Sequence, residues 1–133
     1  MALQFLYMHH ARGAEVMHDL NEFLLEESDK PEAREFARRL IEGVISQRDS
    51  IDKRIETVAH NWRLERMAWV DLNILRLAIY ELTAMDDIPP IVAINEAIEL
   101  AKSFSTEKSS AFVNGILDKI HAQARAPVAE KPL

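Results

Sequence analysis

The sequence has 133 residues, enough for one compact domain and too few for two independent cores. Apolar residues make up 48% and charged residues 29%, which excludes a disordered chain, and the absence of cysteine excludes a disulfide framework or a thiolate metal site. A formal net charge of -6 argues against a general nucleic-acid binder, because phosphate neutralisation needs clustered Lys and Arg, so any nucleic-acid contact must be local.

Apolar spacings of three and four residues, with only three glycines in the chain, predict an all-α fold of about seven helices. Met1–Arg12 sets Leu3, Leu6, Tyr7 and His10 on one face, and Gly13 is placed to supply a left-handed stop. A second helix over Glu15–Glu27 repeats the pattern through Val16, Leu20, Phe23 and Leu24. Asp29 with Glu32 reads as a capping-box-like start, with Pro31 in the first turn, for a third helix with the stripe Ala33, Phe36, Ala37, Leu40, Ile41, Val44 and Ile45. Asp49 or Ser50 is expected to cap a fourth, which buries Ile51, Ile55, Val58 and Ala59.

The fifth helix, Trp69–Met85, is apolar nearly all round and so belongs in the middle of the fold. Its one polar stripe, Asn73, Arg76, Tyr80 and Thr83, must be satisfied by a partner or by a neighbouring helix. Asp86-Asp87-Ile88-Pro89-Pro90 ends it, Pro90 opens a sixth helix to about Phe104, and Ser105 or Thr106 caps a seventh with Phe112, Val113, Ile116, Leu117 and Ile120 inward. Gly115 inside that helix suggests close approach by another backbone. The expected organisation is a single domain over 1–126, with subdomains at about 1–60 and 61–126, and a frayed tail over 127–133.

No apolar run approaches the roughly 18 to 20 residues that cross a bilayer, and Met1–Tyr7 lacks the features of a signal peptide, so a cytoplasmic protein without membrane contact is expected. His9, His10, Glu15 and His18 hold the ingredients of a zinc or acid–base site, but their spacing matches no ligand motif, and they read as surface histidines. Asp86 and Asp87 read as turn residues, and no phosphate loop or nucleophile elbow occurs. No catalytic residue, metal ligand or cofactor is assigned.

The stretch Asn61–Leu82, then Asp87-Ile-Pro-Pro, Ala93–Phe104 and Phe112-Val-Asn-Gly-Ile-Leu-Asp-Lys119, resembles the NusB family of transcription antitermination factors in order and spacing, and Ala2–Tyr7 resembles the family's first helix. That resemblance implies two small three-helix bundles packed across one another. It further implies a non-enzymatic protein that pairs with the small-subunit ribosomal protein NusE, binds boxA RNA and supports ribosomal RNA synthesis within an RNA polymerase antitermination complex; some members form homodimers. RNA contact is carried over onto Gln4, Tyr7, Lys108 and Phe112, and partner contact onto Asp71, Arg76 and Tyr80. On apolar pattern alone Tyr7 and Phe112 would be core residues, and the partner-contact residues could equally bond within the bundle.

Two departures bear on function. Nothing precedes Met1 where family members carry an arginine-rich stretch, so either the start lies further upstream or RNA binding depends on charge from the partner. Ser105 and Lys108 stand where members often have glycine and an acidic residue, which adds positive charge beside Phe112. The competing readings are the similar helical domain of a ribosomal RNA methyltransferase and a protein-binding adaptor without RNA affinity.

Overall fold

A computed structural model describes residues 1–59 and 63–124. Its described residues form seven α-helices, α1 (Ala2–Arg12), α2 (Leu20–Glu27), α3 (Pro31–Ser46), α4 (Arg48–Val58), α5 (Trp69–Ala84), α6 (Pro90–Phe104) and α7 (Glu107–Ala124), and no strand. The all-α class therefore holds, while the expected tail over 127–133 lies outside the described residues.

Several helix ends differ from the sequence expectation. Gly13 does stop α1, donating its N–H to the His9 carbonyl at 2.8 Å, but with φ 92° and ψ -175° it is extended rather than left-handed helical, a conformation open essentially to glycine alone. The chain then makes a 3-10 turn over Ala14–Asp19, so the second α-helix starts at Leu20 rather than Glu15. Asp29 does not cap α3. No side chain caps it; Ser28 instead braces the entry, its hydroxyl accepting the Lys30 N–H at 3.1 Å and its carbonyl accepting from Arg34 Nη1 at 2.7 Å. Asp49 and Ser50 lie within α4, which begins at Arg48 without a side-chain cap. Thr106 is the cap of α7, accepting the Ser109 N–H on its hydroxyl at 3.0 Å.

The buried residues form two clusters. One joins Phe5 and Leu6 of α1 to Leu20, Leu24, Ala37, Leu40, Ile41 and Val44. The other joins Ile51, Ile55 and Val58 of α4 to Ile74, Leu75 and Ile79 of α5 and to Ala97, Ala101, Val113, Leu117 and Ile120. The apolar face of α4 turns toward α5 and α7, and Leu3 of α1 also joins this second cluster. α5 serves both, sending Leu77 into the first cluster while most of its length fills the second. This is why it has almost no polar face.

The close approach expected at Gly115 is not found. A Cβ added at Gly115 would meet nothing within 4 Å, so no backbone approaches it. The close approach is at Gly43 in α3, where an added Cβ would overlap the Tyr80 ring. On α1 the inward face is rotated from the expected one: Phe5 is fully buried and His9 nearly so, whereas Tyr7 is 41% exposed.

Candidate nucleic-acid interface

Two hollows flank the first turn of α5. The first, about 280 Å³, is lined by Leu3, Gln4 and Tyr7 of α1, Val70 of α5 and Phe104 at the end of α6. The second, about 240 Å³, is lined by Arg66, Met67, Ala68 and Asp71 on one side and Thr106, Lys108, Ser109 and Phe112 on the other. The neighbours Val70 and Asp71 belong one to each hollow, and so do Phe104 and Thr106 across the α6–α7 junction. The four residues carried over for RNA contact thus lie on one side of the molecule, two in each hollow. Asp71, carried over for partner contact, joins Lys108 and Phe112.

The second hollow exists because α7 starts against the start of α5. Thr106 turns the chain into α7, and Ser109, held by that cap, donates its hydroxyl to Asp71 Oδ2 at 2.9 Å. Asp71 Oδ1 is buried without a hydrogen-bond partner among the described residues. A buried acceptor left unpaired costs roughly 1–3 kcal/mol, so the hollow offers an incoming donor a ready site. Arg66 and Lys108 bring positive charge to the rim, which the overall acidity of the chain conceals. Phe112 is half-buried, packing against the core and lining the hollow.

The polar stripe of α5 is satisfied inside the protein. Arg76 is buried and grips Asp52 of α4 in a two-pronged ion pair, Nε to Oδ1 at 2.8 Å and Nη2 to Oδ2 at 2.9 Å. Arg76 Nη1 also donates to Asn73 Oδ1 at 3.3 Å, which fixes the amide orientation, so Asn73 Nδ2 donates to the Trp69 carbonyl at 2.8 Å and to His10 Nδ1 at 3.0 Å. Thr83 donates back to the Ile79 carbonyl, and Tyr80 lies over Gly43. Of the two alternatives left open for the stripe, the neighbouring helix holds for Arg76, while Tyr80 packs over Gly43 and stays partly exposed.

Of the histidines, His18 is exposed as expected, but His9 and His10 depart from the surface reading. His9 is buried, and His10 stacks on Trp69 with ring centroids 4.4 Å apart and planes 22° apart. Burial, then the Arg76 and Arg48 guanidiniums, pull the His10 imidazole below its ordinary value, so it is neutral at pH 7 and accepts from Asn73 at Nδ1. Trp69 also meets Tyr7 edge-on at 5.9 Å. No group of three or more His, Cys, Asp or Glu among the described residues could hold a metal ion.

The NusB family profile matches residues 1–122, nearly the whole described chain. The chain belongs to the NusB family. Among NusB relatives, the transcription antitermination protein NusB of Geobacter sulfurreducens is 50% identical over 122 residues, covering 90% of this chain and 88% of its own. That of Myxococcus xanthus is 56% identical over 104 residues, 77% of this chain and 74% of its own. The crystal structure of T. maritima NusB, 42% identical, superposes with a TM-score of 0.80 over 92% of this chain and 86% of its own. NusB in the complex of antitermination factors NusB and NusE with double-stranded RNA is 28% identical, with a TM-score of 0.83 over 92% of this chain and 91% of its own. Two neighbours of the interface escaped the sequence reading: Phe104, 51% exposed, and Trp69, 45% exposed, each of which reads in sequence as the apolar end of a helix.

Proposed function

We propose that this NusB-family chain is a non-enzymatic, cytoplasmic transcription antitermination factor that binds boxA-type RNA jointly with ribosomal protein NusE, within an RNA polymerase antitermination complex. The observation that carries the reading is the convergence of Gln4 and Tyr7 with Lys108 and Phe112 around the first turn of α5. Single-stranded RNA is held by stacking on aromatic rings, by polar contacts to base edges and by basic groups on phosphates. Tyr7 and Phe112 supply rings, Gln4 supplies a polar group, and Lys108 and Arg66 supply charge. Similarity to NusB proteins, one of them solved with NusE and RNA, supports the same assignment.

Asp71 is the partner-contact residue whose chemistry is still unspent, since one carboxylate oxygen has no hydrogen-bond partner among the described residues. Arg76 and Tyr80 act on that surface from behind, by fixing α5 against α4 and α3. Such an interface, with few basic groups of its own, binds RNA weakly alone and more tightly once the partner adds contacts.

Fluorescence anisotropy with boxA-type and scrambled RNA, with and without NusE, tests this. The expected result is selective binding that strengthens with the partner present. Tyr7→Ala or Phe112→Ala should weaken it about tenfold, and Lys108→Ala should lower the salt slope by about one. Equal binding of boxA-type and scrambled RNA by the partner complex would refute the proposal.

A further inference from the structure

We propose that Trp69 is an additional base-stacking platform of the RNA interface, built as the middle member of a fixed Tyr7–Trp69–His10 array; this rests on the RNA-binding reading above. Trp69 is the first residue of α5, beside the hollow that contains Gln4 and Tyr7. Its indole stacks on His10 and meets Tyr7 edge-on, yet 45% of the residue stays open to solvent. Tyr7 at 41% and Phe104 at 51% are open around the same hollow, so three large aromatic residues are left uncovered in one place. Exposed aromatic surface gathered in this way marks a binding site rather than a tolerated defect.

The array is held in place before any ligand arrives. Asn73, itself buried, donates both to the Trp69 carbonyl and to His10, and its oxygen accepts from Arg76, which is anchored on Asp52. A run of hydrogen bonds thus leads from the core to the ring behind the indole. A ring already fixed loses little rotational freedom on binding, so more of the stacking free energy appears as affinity. The indole adds no charge, and every base has a π-face, so Trp69 should strengthen binding without setting which base is read.

The test uses the full chain with NusE and a boxA-type RNA oligonucleotide. Trp69→Ala should weaken RNA binding about tenfold, Trp69→Phe should retain most of the affinity, and the slope of affinity against salt should stay the same, since no phosphate contact is lost. A second readout keeps Trp69 itself intact: in a Trp62→Phe variant, the remaining indole fluorescence should be quenched on RNA addition and become less accessible to acrylamide. Binding by Trp69→Ala within about twofold of the unaltered chain, with no quenching in the Trp62→Phe variant, would overturn the inference while leaving the RNA-binding reading intact. Loss of NusE affinity in Trp69→Ala without RNA present would overturn it in favour of a protein-binding surface. Failure of the unaltered complex to bind boxA-type RNA would remove both readings together.

Discussion

Glu81 is buried on α5, and burial, with Glu96 of α6 adding to it, pushes its carboxyl up from 4.5 to about 7. A carboxyl raised on folding holds a proton that the unfolded chain has already released, so between pH 4.5 and about 7 stability falls as pH rises, then levels off. Glu81→Gln, which keeps the neutral shape at every pH, should flatten that fall and make the protein more stable above pH 7 than the unaltered chain. Urea midpoints measured across the window check it; an unchanged slope would show that Glu81 is not the group responsible. This residue was illegible in the sequence. Glu81 lies within the apolar run of α5 and looks like any helical glutamate until α6 is laid over it. The same holds for Asn73 and Arg76: their spacing showed a shared face, but only the positions of α1 and α4 show that His10 meets Asn73 and Asp52 meets Arg76.

At the scale of the element, helix existence was legible and helix ends were not. Periodicity located α5 and α6 to within a residue, because prolines and long apolar runs act locally. The boundaries that failed, at Leu20 and Arg48, depend on how the preceding chain is tethered. The two interior glycines make the contrast measurable. Gly115→Ala places a methyl group in open space and should stabilise the protein by up to about 1 kcal/mol through helix propensity. Gly43→Ala drives a methyl group into the Tyr80 ring and should destabilise it by about 1–3 kcal/mol despite the same intrinsic gain. Thermal or urea unfolding of both variants checks the pair, and Gly43→Ala paired with Tyr80→Leu should recover part of the loss. Opposite signs for one substitution in two helices separate local propensity from tertiary contact.

At the scale of the molecule, α5 is the main link between two clusters, which Leu3 of α1 and Leu100 of α6 also bridge. Leu77 belongs to the cluster of α1–α3, while Leu75 and Ile79 belong to that of α4–α7. Loosening either cluster therefore exposes apolar surface of the other. Urea unfolding should be a single transition that coincides by far-ultraviolet circular dichroism and by amide exchange in α3 and α7. Leu77→Ala should lower it by about 2–5 kcal/mol without splitting it. Two resolved transitions would show that the halves fold independently.

The apolar periodicity by itself determined the all-α class, the central place of α5 and the identity of most core residues, because helical burial is a local pattern repeated along the chain. The motifs from Asn61 to Lys119 determined the family. The tertiary structure alone decided that Tyr7 faces out and Phe5 in, that Gly43 rather than Gly115 is the close contact, and that Arg76 is spent within the bundle. It also decided that Trp69 stands beside Tyr7. Each of these depends on which helix lies opposite, and residues more than 60 positions apart in sequence, such as His10 and Asn73, meet only when α1 is laid across α5.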